Sequence, residues 1–234
     1  MTPTRVVSLV PSATETLTAL GVVPVGCTRF CDLPGTPTVG GTKHVDVDAV
    51  VALAPDLVVV NDEENRIEDA DAIAARGLRL HSMSPRSVAD VGPAVVALAT
   101  AVGVDPPAPF TAWSQWEDRT RVATRVRAFV PIWRRPWMSL AADTYGSSLL
   151  AHTGVANVFG PASERYPEVS LAEVAALAPD VVLLPSEPYA FAERHAGELR
   201  DALPDTRVSF VDGRDLFWWG IRTPLAAERL RKAV

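Results

Sequence analysis

The chain has 234 residues, of which 48% are hydrophobic and 21% charged, and carries a net charge of −6. That balance belongs to an ordinary soluble globular protein, long enough for one large domain or two lobes with separate cores, and the negative charge argues against nucleic-acid binding. The longest apolar runs, such as Leu57–Val60 and Val181–Leu184, are strand-length and far short of a membrane span.

The opening MTPTRVVSLV enters its first strand within five residues and shows no basic-plus-apolar leader and no cleavage site. The sequence as given therefore implies a cytoplasmic chain, and an extracytoplasmic or periplasmic one where a leader has been removed. Arg5–Val10 reads as a buried strand. Pro11-Ser12-Ala13-Thr14-Glu15 follows as a helix start in which Ser12 and Glu15 have capping-box spacing, and the helix runs to Leu20 and stops at Gly21. Its N-terminus at a strand's carboxyl end suits an anion or carbonyl, although capping alone accounts for both residues. Val23–Cys27 reads as a second strand. The Pro- and Gly-rich stretch Thr28–His44 is too long for a plain connector and makes a candidate binding loop, with Arg29, Phe30, Lys43 and His44 available to a ligand. Cys27 and Cys31, the two cysteines, stand in C-x3-C spacing; free thiols are expected ahead of a disulfide, and two are too few for a structural zinc site.

A helix over Val47–Leu53, a turn at Ala54-Pro55-Asp56 and a strand over Leu57–Val60 come next, followed by the polar cluster Asn61-Asp62-Glu63-Glu64-Asn65-Arg66, whose acids also suit a helix dipole. A further helix ends at Gly77, Leu78–Met83 reads as a strand, and Ser87–Val102 as an amphipathic helix closed by Gly103. Strands alternating with helices imply a parallel sheet covered on both faces. From Pro107 to Val130, apolar residues at Phe110, Trp113, Trp116, Val122, Val126, Phe129 and Val130 keep helical spacing without an internal Gly or Pro after Phe110. The spacing predicts one spanning helix of about 30 Å.

Beyond it, WRRPWMSLA leads into a helix over Asp143–Thr153, Ser170 and Glu173 form a second capping box, and Val181–Leu184 is a strand. Val208–Val211 is the next strand, and Pro224 sits in the first turn of the last helix. Phe217, Trp218 and Trp219 in a row cannot all be buried in a strand that alternates its faces, so at least one is expected at a cleft or the surface.

An internal repeat organises these elements. VDVDAVVALAPDLVVVNDE at 45–63 recurs 124 residues on as VSLAEVAALAPDVVLLPSE at 169–187. A looser match pairs Val7-Ser8-Leu9 with Met138-Ser139-Leu140. Two related lobes follow: an N-terminal lobe over 1–105, the spanning helix over 106–131, and a C-terminal lobe over 132–234. The repeat places Glu63 and Glu187 at the same step after the same strand. A spanning helix would hold them too far apart for acid–base chemistry, which needs carboxylates roughly 5–9 Å apart, and separated acids suit docking on a symmetric basic partner.

The motifs RVVSLVPSATETLTALG, VGGTK, ALAPDLVVVNDEEN, IWRRPWM, LLPSEPYAF and FWWGIRT together resemble the helical-backbone metal receptor family, the substrate-binding proteins of ABC importers for cobalamin and ferric siderophores. The resemblance spans Arg5 to about Leu230. It implies two Rossmann-like α/β lobes with parallel sheets joined by one helix, as in class III periplasmic binding proteins. It further implies a cleft for a bulky ligand that brings its own cobalt or iron, with no cofactor of the protein's own and no catalysis. Phe30, Lys43, Tyr145, Tyr189, Trp218, Trp219 and Arg222 are the implied ligand contacts, with His44 beside Lys43. Glu63 or Glu64 and Glu187 are the implied docking acids for the arginines of a membrane permease. A monomer is expected. His44, His81, His152 and His195 are scattered without ligand spacing, which argues against a bare-metal site. The rival readings are a chelatase-like or corrinoid-processing enzyme, for which His44 is the candidate acid or base, and a cytoplasmic carrier or sensor of the same ligands.

Overall fold

A computed structural model describes residues 4–234. They fall into two compact units: the first holds the chain up to Pro85 with Asp90–Trp113 and Trp219–Ile221, the second Arg86–Ala89, Ser114–Trp218 and Arg222–Val234.

The first unit contains β1 (Val6–Ser8), α1 (Pro11–Ala19), β2 (Gly26–Cys27), the hairpin strands β3 (Gly40–Gly41) and β4 (His44–Val45), α2 (Val47–Ala52), β5 (Leu57–Val60), α3 (Ile67–Ala75), β6 (Leu80–Ser82), most of α4 (Val88–Val102), and α5 (Ala108–Thr111). Its sheet is all parallel in the order β2-β1-β5-β6. All four residues of β5 are buried, as the continuous apolar run Leu57–Val60 requires of a strand covered on both faces. Val7, Leu9, Val50, Val58, Val60 and Ile73 form one core.

The second unit contains nearly all of α6 (Trp113–Thr120), then β7 (Val126–Phe129), β8 (Trp137–Met138), α7 (Tyr145–His152), β9 (Val155–Asn157), β10 (Glu168–Val169), α8 (Leu171–Leu177), β11 (Val181–Pro185), α9 (Glu193–Ala202), β12 (Arg207–Val211), α10 (Gly213–Phe217) and α11 (Thr223–Ala233). Its parallel sheet runs β9-β7-β11-β12, the same connectivity as the first. Phe129, Val174, Val182, Leu184, Ala196 and Leu199 centre its core.

The repeat is built from matched atoms. Ala54 and Ala178 both take the left-handed backbone conformation, with φ of 45° and 46°. Asp56 then accepts the Arg5 backbone N–H at 2.8 Å, and Asp180 that of Arg127 at 2.7 Å. The Arg5 guanidinium caps the carbonyls of Leu53 and Ala54, and that of Arg127 caps the carbonyl of Leu177. Each Ala-Pro-Asp turn thus ends its helix, and its aspartate pins the neighbouring strand in register.

Three expectations are corrected. The stretch from Pro107 to Val130 is not one helix: the backbone leaves helical geometry at Ala112, α6 ends at Thr120, and Val126–Phe129 pairs with both β11 and β9. Four apolar-rich residues at a helix's end carry the same spacing as a short buried strand, and sheet pairing decides. The longest helix among the described residues is α4, with 15. The counterpart of β1 is β7 and not Met138–Leu140, because Val6 faces Leu57 as Ala128 faces Val181. Ser12 does not cap α1; Pro11 occupies the first turn, Val10 is the N-cap residue, and the buried Ser12 hydroxyl has no partner. The Ser170–Glu173 capping box does form, with Ser170 Oγ accepting from Glu173 N at 3.2 Å and Glu173 Oε2 accepting from Ser170 N at 2.7 Å.

Buried His152 gives the second unit a pH dependence. Its Nε2 is 2.8 Å from Thr120 Oγ1, which itself donates to Trp116 O, so His152 is the donor and its Nδ1 stays bare. Burial, with Arg231 and Arg121 adding repulsion, lowers its pKa from 6.5 to about 4. Folding therefore disfavours the protonated ring: the contribution is complete above pH 6.5 and is lost as pH falls towards about 4. Denaturant melts across that window are expected to lose on the order of 2–3 kcal/mol, and His152→Gln to flatten the dependence by that amount. An unchanged slope in the variant would contradict this assignment.

Candidate functional site

In each parallel sheet the carboxyl ends of the strands share one edge, where free backbone groups and loop side chains meet a ligand. On the first unit, Cys31 N donates to Thr28 O at 3.1 Å, and the resulting turn after β2 presents Phe30, 53% exposed, under the Arg29 guanidinium at 4.8 Å. After β5, Asn61 Oδ1 accepts from the backbones of Glu63 at 2.7 Å and Glu64 at 3.1 Å, while its amide donates to Met83 O at 2.6 Å. Asn65 closes the loop by accepting from Asn61 N and donating to the carbonyls of Leu9 and Thr42. Lys43 Nζ reaches the Glu63 carbonyl at 2.6 Å and ties the β3–β4 hairpin to this loop. Glu63 is exposed and Glu64 half-buried. His44, also exposed, lies on β4 opposite Gly41.

On the second unit the edge is aromatic. Tyr189, half-buried after β11, packs against Phe191 at 4.8 Å, edge-on to Trp133 at 5.3 Å, and against His195 at 5.4 Å. Trp133, after β7, is 45% exposed. His195 accepts the Ala192 backbone N–H through Nδ1 at 2.9 Å, and burial lowers its pKa and favours the neutral ring. Trp137 stacks on Phe191 at 5.9 Å and under the Arg134 guanidinium at 5.6 Å.

Glu187 stands in the same loop, its Oε1 accepting the Trp218 indole N–H at 2.6 Å. Two guanidinium groups lie over the Trp218 ring, Arg214 at 4.9 Å and Arg222 at 5.2 Å. Arg222 is held by the buried Asp215 at 2.9 Å. Burial raises the Glu187 pKa, against the Trp218 hydrogen bond and the charge of Arg214 and Arg222. Gly213 is required here: a Cβ would sit 2.6 Å from Glu187 N and 2.7 Å from its carbonyl O.

The structure thus gathers Glu187, Trp218 and Arg222, and places Tyr189 with Trp133. Tyr145 is buried, 6% exposed, beside the Arg222–Asp215 pair, with its hydroxyl spent on Thr223 Oγ1 at 2.8 Å and its pKa raised by burial. The Phe217–Trp219 run is no strand. Asp212 caps α10, which ends at Phe217; Trp218 and Trp219 are buried, at 8% and 4% exposure, and Phe217 is the half-buried member of the run. Trp219 belongs to the first unit, where Ile221 N donates to Thr16 Oγ1 at 3.3 Å. Sequence reasoning does not single out Trp133 or Arg214; an aromatic-basic run directly after a buried apolar segment is their available signal. Among the described residues, no three His, Cys, Asp or Glu side chains gather where they could hold a metal ion, and no helix is long and apolar enough to cross a membrane.

This is the two-lobed α/β fold, with parallel sheets, of the class III periplasmic binding proteins. The periplasmic vitamin B12 binding protein BtuF of Vibrio cholerae superposes with a TM-score of 0.80 at 20% identity, over 99% of this chain and 96% of that one. The periplasmic heme-binding protein BhuT, solved with two hemes, gives 0.81 at 23% identity over 98% and 97%. In sequence, the vitamin B12-binding protein of Vibrio parahaemolyticus is 22% identical over 240 aligned residues, 94% of this chain and 84% of the relative. No protein-family model matches the chain. The resemblance to cobalamin and metal-chelate receptors read from the sequence motifs is borne out by these likenesses.

Proposed function

We propose that this chain is the substrate-binding protein of an ABC-type importer and that it takes a bulky metal-containing ligand, a corrinoid, a heme or a ferric chelate. The observation that carries this reading is the Trp133–Tyr189 aromatic face at the carboxyl edge of the second sheet, in a lobe that also holds Arg214 and Arg222 over Trp218, in a fold shared with vitamin B12- and heme-binding proteins. Aromatic walls with a few fixed cations suit a large conjugated ring bearing carboxylate or phosphate groups. The cobalt or iron belongs to the ligand and is cargo. Delivery places the protein on the extracytoplasmic side of a membrane, with Glu63 or Glu64 and Glu187 as the docking acids for a permease.

Titration with cyanocobalamin, cobinamide, hemin and a ferric hydroxamate, read by tryptophan quenching, is expected to give binding to one class at micromolar or tighter Kd. Trp133→Ala is expected to weaken that binding about tenfold, the loss of one aromatic contact of about 1–1.5 kcal/mol. Absence of binding to all four at roughly 100 µM, about 5.5 kcal/mol of affinity, would overturn the proposal.

A further inference from the structure

The first lobe carries a second piece of chemistry that ligand binding does not use. Cys27 closes β2 and is buried at 1% exposure; its backbone is fixed by bonds with Pro37 and Val39, its N–H donating at 3.0 Å and its carbonyl accepting at 2.9 Å. Cys31 lies four residues on, half-buried, in the turn that its N–H closes onto Thr28 O at 3.1 Å, and its thiol interacts electrostatically with that of Cys27. Two hydroxyls converge on the Cys31 sulfur, Thr14 Oγ1 at 3.1 Å and Thr28 Oγ1 at 3.4 Å. Thr14 can turn its proton to the sulfur without stranding its other partner. Val10 O, which it also reaches at 3.0 Å, keeps the Thr14 N–H at 2.9 Å and Ser8 Oγ at 3.2 Å. Thr14 stands near the start of α1, whose positive end favours an anion. The charged neighbours on the loop, Arg29 and Asp32, are of opposite sign. The Cys27 contact is the largest influence drawing the Cys31 pKa down to about 6, followed by the two threonines working against burial, while Cys27 is pushed up. Both are free thiols in this structure.

We propose that Cys27 and Cys31 form a peroxide-reactive pair, Cys31 the attacking thiolate and Cys27 the resolving thiol, which closes to an intramolecular disulfide. The Cys31 thiolate attacks the terminal oxygen of a hydroperoxide. The O–O bond breaks, an alkoxide or hydroxide leaves and takes a proton, and Cys31 becomes a sulfenic acid. Cys27 sulfur then attacks that of Cys31; the S–O bond breaks, and hydroxide leaves with the Cys27 proton as water. Two thiols and one hydroperoxide give one disulfide, one alcohol or water, and one further water.

Reduced protein treated with one equivalent of hydrogen peroxide is expected to lose two hydrogen atoms in its intact mass and to regain them with dithiothreitol. Cys27→Ser is expected to stop at a sulfenic acid that dimedone traps, and Cys31→Ser to leave the mass unchanged. A measurement on the unaltered chain guards against misfolded variants: iodoacetamide alkylation of Cys31 should reach half its maximal rate near pH 6, against about 8.5 for an ordinary thiol. Alkylation with an ordinary midpoint, or peroxide treatment that leaves both thiols intact in the unaltered chain, overturns the proposal. Neither readout involves the importer ligand, so the result stands apart from the transport reading.

Discussion

Phe129→Ala should lower the unfolding free energy by about 3–5 kcal/mol, the largest single loss expected in the second lobe. Phe129 is fully buried on β7, paired with Val182 on the central strand β11, and its ring meets Phe159 edge-on at 5.8 Å. Truncation removes the ring's transfer free energy and leaves a cavity between strands and helices that cannot collapse without breaking register. The duplicated architecture supplies an internal control. Val7 occupies the same register position in the first lobe, facing Val58, and is equally buried. Val7→Ala deletes two methyl groups and is expected to cost about 1.5–2 kcal/mol by area alone. Guanidinium melts of both variants test the pairing. Were residues 126–129 still helix, Phe129 would lie at the end of an amphipathic face, and a loss under about 1 kcal/mol would be the sign of it.

That contrast also shows what the amino-acid order reveals. The Ala-Leu-Ala-Pro-Asp repeat is legible because its residues are chemically constrained. The alanine before proline must take positive φ, and the aspartate must accept a backbone N–H from the next strand. The β1–β7 correspondence is hidden because it depends on register across a sheet, and the segment between β7 and α7 carries an added β8 excursion that shifts the numbering. Val126–Phe129 follows helical spacing because four residues sample barely one helical turn. Ser12 fails as a cap because the proline before it already fits the first turn. Lys43 is legible as a residue of the long loop, and Glu63 and Glu187 as positions matched by the repeat. Tyr145 cannot be judged from sequence, since whether its hydroxyl meets a ligand or Thr223 is decided by the packing of α7 against α11. Trp133 escapes notice there because its importance lies in Tyr189, more than fifty residues away along the chain.

Glu187→Gln and Glu187→Ala should separate two roles of one carboxylate. Trp218 is 8% exposed and its indole N–H has Glu187 Oε1 as acceptor at 2.6 Å. Alanine leaves that donor buried and unpaired, at a cost of about 1–3 kcal/mol in a denaturant melt. Glutamine keeps an acceptor in place. Because burial raises the Glu187 pKa, the ionised form is the one folding disfavours, and the associated stability is present in acid and lost as pH rises through the raised value. Removing the charge is therefore neutral to slightly stabilising at pH 7. The charge matters only if a cationic partner needs it. Under the importer reading, Glu187→Gln should reduce capture by the cognate permease and ATPase complex in proteoliposomes by roughly tenfold or more, as loss of one member of an interfacial charge pair does. Glu63→Gln, at the repeat-matched exposed position, should reduce capture similarly while leaving stability within about 0.5 kcal/mol. Full capture by both glutamine variants, with ligand binding intact, would mean that the carboxylate serves Trp218 alone and that docking lies elsewhere on the lobes.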